Sequence, residues 1–162
     1  MRKVLIFALL LTAVFPFSGC FGERKTEIDT DSLTYFCYST SCFVINYDQI
    51  YTCEKSGDKV RISVKYAGAS PDEVTEVETD GTVMNRLGEV INKYEIPSWD
   101  GFNESNHHVL DGESFSLTVK SGEDTLISAY GANSYPENYT DATNEIEEIF
   151  QEILVQNGYE PY

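Results

Sequence analysis

Two histidines stand side by side at His107 and His108, and in an extended segment their side chains diverge too far to chelate one ion. No Cys or His pair elsewhere has zinc spacing, so no metal site is expected. The chain holds no Gly-x-Ser-x-Gly elbow and no phosphate-binding glycine loop. A cysteine nucleophile with His107 or His108 as its base can be written for any chain with both residue types, but Cys37, Cys42 and Cys53 all sit in strand-like context. The 27 acidic residues supply carboxylate pairs for sugar chemistry in so many combinations that none is singled out. Asp100 with Asn103, or Asp72 with Glu73, offers oxygen ligands, yet neither run matches the spacing of a calcium loop. The residues therefore point to no catalytic group, no metal and no other cofactor.

Aromatic residues carry the remaining signal. The chain has eleven Tyr, nine Phe and one Trp. Trp99, Phe102, Tyr130, Tyr135 and Tyr139 fall in or beside two long irregular segments, interleaved with Asp100, Asn103, Asn133 and Asn138. Flat rings beside amides and carboxylates suit sugars, peptides or a partner protein. Ligand contact is thus expected at Trp99, Asp100, Tyr130, Asn133 and Tyr135, at the end of the domain built by segments 99–112 and 131–138. The competing expectation is that Trp99 and several Tyr seal the core while Asp and Asn hold turns.

Positioning those segments is the work of strands and two helices. Residues 33–38 and 42–47 flank Ser39-Thr40-Ser41, and 50–54 lead through Lys55-Ser56-Gly57-Asp58 into 59–66; all read as strands and hairpins. Val60, Ile62, Val64 and Tyr66 alternate with Lys59, Arg61, Ser63 and Lys65, which predicts one buried and one wet face. Segment 67–80 contains Pro71, five acids and only Val74 and Val77 as sizeable apolar residues, and reads as a loop. Asp80 caps a predicted helix over 81–94, whose apolar stripe is Val83, Leu87, Val90, Ile91 and Tyr94; Gly88 inside it weakens the helix by about 1 kcal/mol relative to Ala, so either the helix bounds differ or another backbone approaches closely there. Pro97 stops that helix, and 99–112 is a long polar loop. Residues 114–120 and 124–130 form a second hairpin, and a last helix opens at Thr140 or Asp141 with Ala142, Ile146, Ile149, Phe150, Ile153 and Leu154 on its apolar face.

These elements predict an α+β domain with a single antiparallel sheet of about five strands and two helices packed on one face, the face of Val60, Ile62, Val64, Phe115, Leu117 and Val119. The other face is polar, rich in Ser, Thr, Lys and Arg.

The chain opens with Arg2 and Lys3, an apolar run over 4–15, and Phe17-Ser18-Gly19-Cys20, the layout of a secretion signal. A spanning helix needs about 20 apolar residues, more than this run provides. The ending resembles the lipobox of bacterial lipoproteins, although Phe17 stands where an aliphatic residue is usual. The resemblance implies a signal peptide over 1–19, a diacylglycerol on Cys20, a tether over 20–32 and a single domain over 33–162 on the extracytoplasmic face of the cell membrane. Leaving out Arg2 and Lys3, nine basic residues face 27 acidic ones, a formal balance of −18. That charge argues against nucleic acid as a partner. Three cysteines remain after lipidation: Cys37 with Cys42 across a hairpin tip is the expected disulfide, leaving Cys53 free, and a Cys42–Cys53 pair or three reduced thiols are the alternatives.

Trp99-Asp100-Gly101-Phe102, then Val109-Leu110-Asp111-Gly112 with Ser114-Phe115-Ser116-Leu117, then Ile127 to Gly131 with Asn133 and Tyr135-Pro136, resemble a group of uncharacterised lipoproteins from Gram-positive gut bacteria. The resemblance implies an exported, tethered domain and brings no activity. A membrane-anchored binding or interaction module, with a surface glycan, peptide or protein as partner, is the expected function. An extracellular hydrolase acting on glycan or peptide, or an envelope structural protein without ligand, remains the alternative.

Overall fold

Alternation of apolar and polar residues runs through most of the chain, and the computed structural model converts it into one sheet with two helices. It describes residues 27–42, 47–66, 69–70, 73–109 and 112–160. Residues 1–19, expected to be a signal peptide, and Cys20 lie outside the described residues, as do Asp72, Leu110 and Asp111. The strands are β1 (Tyr35–Cys42), β2 (Tyr47–Ser56), β3 (Lys59–Lys65), β4 (Thr75–Thr79), β5 (Asn103–Ser105), β6 (Glu113–Ser121) and β7 (Asp124–Ala132). The helices are α1 (Thr82–Lys93) and α2 (Tyr139–Gln156). Spatial order is β4-β3-β2-β1-β6-β7-β5. Every pairing is antiparallel except β5 on β7, which is parallel.

The sheet is therefore mixed and seven-stranded, where about five antiparallel strands were expected. Both additional strands are edges. β4 was expected to be loop because its only buried residue is Val77, set among Thr75, Glu76, Glu78 and Thr79. Charge on such a strand is what an edge tolerates, and it deters pairing with other chains. Here Lys59 on β3 meets Glu78 at 2.8 Å. β5 lay inside the expected loop because all three of its residues are exposed.

The expected turn at Ser39-Thr40-Ser41 does not exist. β1 runs unbroken from Tyr35 to Cys42, with Ser39 opposite Ile50 on one side and Ser116 on the other. The hydroxyls do not reverse the chain; they face along the sheet, and Ser39 Oγ and Ser116 Oγ share a hydrogen bond of 2.9 Å. This overturns the Cys37–Cys42 disulfide. The two cysteines lie five residues apart in one strand, roughly 16 Å at ~3.3 Å per residue, far beyond disulfide reach. Cys53 points to the opposite face from Cys37, in register with Phe36 and Ile62. All three thiols are free, and burial pushes that of Cys53 up to about 12.

Both helices cover the face expected. Phe36, Tyr38, Tyr51, Val60, Ile62, Val64, Leu117 and Val119 share one core with Leu87, Ile91, Ile146, Phe150 and Leu154. The Phe150 ring of α2 sits 5.1 Å from that of Tyr51 and 6.1 Å from that of Phe36. Asp80 accepts hydrogen bonds from the backbone N–H and the hydroxyl of Thr82 at the start of α1, which holds its carboxyl below the ordinary range. Across the solvent side of the helices, Arg86 pairs with Glu152 and Lys93 with Glu145.

Residues 27–34 belong to this packing. Ile28 N–H donates to Asn92 Oδ1 at 2.8 Å, and Asn92 Nδ2 donates back to Ile28 O at 3.0 Å, so one side chain grips the backbone as a neighbouring strand would. Ile28 and Leu33 are buried. A short 3-10 helix, Thr30–Ser32, lies against Gly88 so closely that a Cβ there would stand 2.6 Å from Thr30 Cγ2 and 2.7 Å from its Cβ. Residues 28–32, expected to belong to a tether, thus pack with the domain. Gly88→Ala normally adds about 1 kcal/mol of helix propensity. Here overpacking against Thr30 outweighs it, and a net loss of about 1 kcal/mol or more is expected in urea unfolding. A gain in stability would show that the Thr30 contact yields freely.

Candidate functional site

The five residues expected at a ligand site separate into three environments. Trp99 ends a second 3-10 helix, Ile96–Trp99, which follows α1 and turns the chain inward. Its ring is 2 % exposed. It stands edge-on to Phe115 with centroids 6.4 Å apart, lies 5.9 Å from Tyr139, and donates its Nε1–H to Glu137 O at 3.1 Å. A buried indole with a satisfied N–H is a core residue, so Trp99 cannot meet a ligand.

Asn133 is also occupied. It adopts φ +53°, its Oδ1 accepts from Glu113 N–H at 3.0 Å, and its own N–H donates to Glu113 O at 2.9 Å. Such side-chain-to-backbone bonding is how Asn holds a turn. Tyr135 is 42 % exposed, but it is the outer ring of a pile on the helix side, 4.6 Å from Tyr139 and 6.0 Å from Phe115. Tyr130 lies on the opposite face, in register with Ser116. The sheet thus parts Tyr135 from Tyr130.

Asp100 and Tyr130 do come together. Asp100 Oδ1 accepts from Ser128 N–H at 2.9 Å, Gly101 N–H donates to Ser128 O, and Tyr130 N–H donates to Phe102 O at 2.8 Å. The carboxylate completes the edge of β7 just before β5 takes over. Together with Phe102, Asn103 and Ser128, Asp100 and Tyr130 line a hollow of about 500 Å³. The Tyr130 ring is 40 % exposed beside it. Asp100 also borders a larger hollow of about 660 Å³, formed with Asp29, Ser32, Pro97, Ser121 and Asp124.

Beyond Tyr130 the uncovered face mixes short hydroxyl-bearing side chains with longer charged ones. One row crosses it as Glu76, Ser63, Thr52, Cys37, Thr118 and Ser128, and the next as Lys65, Ile50, Ser39, Ser116 and Tyr130. Thr52 Oγ1 lies 3.8 Å from Cys37 Sγ. Ser128 belongs to the hollow although its residue type carried no signal. The alternation of Ile127 and Ala129 with Ser128 and Tyr130 was the sequence feature that placed it there.

A second polar group lies under α2. The Tyr38 and Tyr139 hydroxyls share a hydrogen bond of 2.9 Å, and Thr143 Oγ1 donates to Tyr139 O at 3.0 Å. Burial raises both phenols, Tyr139 to about 12. Glu147 faces this pair half-buried, and loss of water raises its carboxyl above the ordinary value. The folded state therefore binds this proton more readily than the unfolded one. Its stabilising contribution is complete below the ordinary Glu value and is lost as pH rises through the folded value. Glu147→Gln is expected to unfold at higher urea than the wild type at neutral pH, with the difference vanishing near about pH 4. An equal effect at both pH values would show that desolvation of the charge is not its cause.

His107 and His108 are both exposed, and His108 N–H donates to Asn106 Oδ1. Among the described residues no three His, Cys, Asp or Glu side chains gather in a metal-holding group. No described helix is long and apolar enough to cross a membrane. No family model matches the chain, and no curated protein matches it.

Proposed function

We propose that this protein is a binding module held on the extracytoplasmic face of the cell membrane through a diacylglycerol on Cys20, and that it meets a surface glycan, peptide or protein partner at Tyr130. The observation that carries this is Tyr130, 40 % exposed on the uncovered polar face of the sheet and beside a hollow lined by Asp100, Asn103 and Ser128. An exposed phenol next to short amide, hydroxyl and carboxylate groups offers a stacking surface together with hydrogen bonds. Asp100 has one oxygen engaged by Ser128 N–H, so the group that borders the hollow is held in place before any ligand arrives.

The test uses retention of the mature protein on isolated cell envelopes with their proteins in place, on protein-free cell walls, and on immobilised wall glycan and peptide fragments. Tyr130→Ala is expected to cut retention tenfold or more at unchanged melting temperature, and Tyr135→Ala to leave it within twofold. Retention that survives Tyr130→Ala, or is absent from every one of these surfaces, overturns the proposal.

A further inference from the structure

Ile28, gripped by Asn92, lies at the hollow shared with Ser121, Asp124 and Leu126, the end of the sheet where β6 turns into β7. From there residues 30–33 run along α1 past Gly88, and Leu33 reaches a hollow with Lys55, Val60 and Thr82 beside the β2–β3 turn. Thr34 N–H then donates to Lys120 O at 2.9 Å and Lys55 N–H to Thr34 O at 2.9 Å, which locks the segment onto the same end of the sheet. Along β7, Tyr130 stands four residues beyond Leu126 and Ala132 six, about 13 and 20 Å at ~3.3 Å per residue. Asn106 N–H donates to Ala132 O, so the segment with His107 belongs to the far end.

We infer that this rooted segment decides which way the domain faces: the end with the β2–β3 and β6–β7 turns lies toward the bilayer, and the Tyr130 end faces away, toward a partner outside the membrane rather than a lipid. The inference rests on the proposed acylation of Cys20. From Cys20 to Glu27 the chain can span at most about 25 Å at ~3.6 Å per residue, against about 43 Å had it been free as far as Ser32. A seven-residue span brings the far end to the bilayer only when drawn out along nearly the whole flank of the domain. Every shorter span leaves the rooted end nearest.

The test takes the mature protein as a bacterial host processes it from the full chain and mixes it with phosphatidylglycerol-containing vesicles that carry a headgroup nitroxide quencher. A dye is attached at Glu123→Cys or at His107→Cys in a Cys37→Ser, Cys42→Ser background. Cys53 stays in place, since burial keeps its thiol unreactive. Quenching is expected to be severalfold stronger at position 123 than at 107. Ten Gly/Ser residues inserted after Thr26 should narrow the difference, and so should Asn92→Ala. Equal quenching at the two sites in vesicle-bound protein overturns the inference and leaves the anchor standing, as does a difference that the insertion leaves unchanged. Protein that fails to bind vesicles overturns the acylation proposal and this inference with it.

Discussion

Trp99→Ala is expected to lower the unfolding free energy by about 3–5 kcal/mol, the range for emptying a buried aromatic site. The indole is 2 % exposed and packs against Phe115 and Tyr139, two rings that also support Phe102 and Tyr135. Its removal therefore leaves a cavity where three elements meet: the 3-10 helix after α1, β6 and the start of α2. It also strips Glu137 O of the Nε1–H donor. Trp99→Phe reduces the first effect and keeps the second, because it retains most of the ring volume and loses the hydrogen bond with three ring atoms; a loss of about 1–3 kcal/mol, smaller than that of Trp99→Ala, is expected for it. For a domain of this size each kcal/mol moves the melting temperature by roughly 4 °C, so both variants resolve in a thermal scan. Because the chain holds one Trp, folded wild-type emission should be blue-shifted and shielded from acrylamide. Loss under about 1 kcal/mol in Trp99→Ala would place the ring outside the core and return it to the candidate site.

Strand interiors were legible where alternation was strong. Val60, Ile62 and Val64, and Phe115, Leu117 and Val119, announced their buried face, because a half-buried strand imposes a period of two on residue type. β4 and β5 were not legible, since an edge strand buries little: Val77 alone in β4 and nothing in β5. β1 was misread for a different reason. Ser39, Thr40 and Ser41 are turn formers by composition, yet in the middle of a sheet hydroxyls also bridge strands, and only the presence of β6 alongside decides between the two. The candidate site failed at the same level. Aromatic residues next to Asp and Asn describe both a ring that plugs the core and a ring that meets a ligand. Trp99 and Tyr130 share that local chemistry and differ in the face of the sheet they adjoin. The alternation through β7, with Ile127 and Ala129 inward and Ser128 and Tyr130 outward, held that information for Tyr130; the irregular segments around Trp99 and Tyr135 had no period to carry it.

Gly131→Ala is expected to destabilise the fold strongly. Gly131 lies in β7 opposite Phe115, on the face that packs against the helices. A Cβ there would stand 2.1 Å from Ser134 O and 2.4 Å from the Phe115 ring. The first neighbour is backbone, held by the turn in which Asn133, at φ +53°, bonds both ways with Glu113. It cannot step aside without breaking that turn. The second is the centre of the ring pile, 4.6 Å from Tyr139 and 6.0 Å from Tyr135, so displacing it moves the others. Overpacking a close-fitted core commonly costs about 1–3 kcal/mol, and a methyl caught between a fixed carbonyl and a supporting ring belongs at the upper end or beyond. Phe115→Leu in the same chain relieves one of the two clashes. The double variant Gly131→Ala/Phe115→Leu is therefore expected to lose less stability than the two single losses added together, while Gly131→Ala/Val60→Ala, changed at a distant point of the core, should be additive within about 0.5 kcal/mol. Urea unfolding of the three single variants, the two double variants and their parent gives all the differences. A Gly131→Ala protein within about 1 kcal/mol of wild type would mean that the 133–135 turn lifts freely off β7, and the separation of Tyr135 from Tyr130 by a rigid sheet would fall with it.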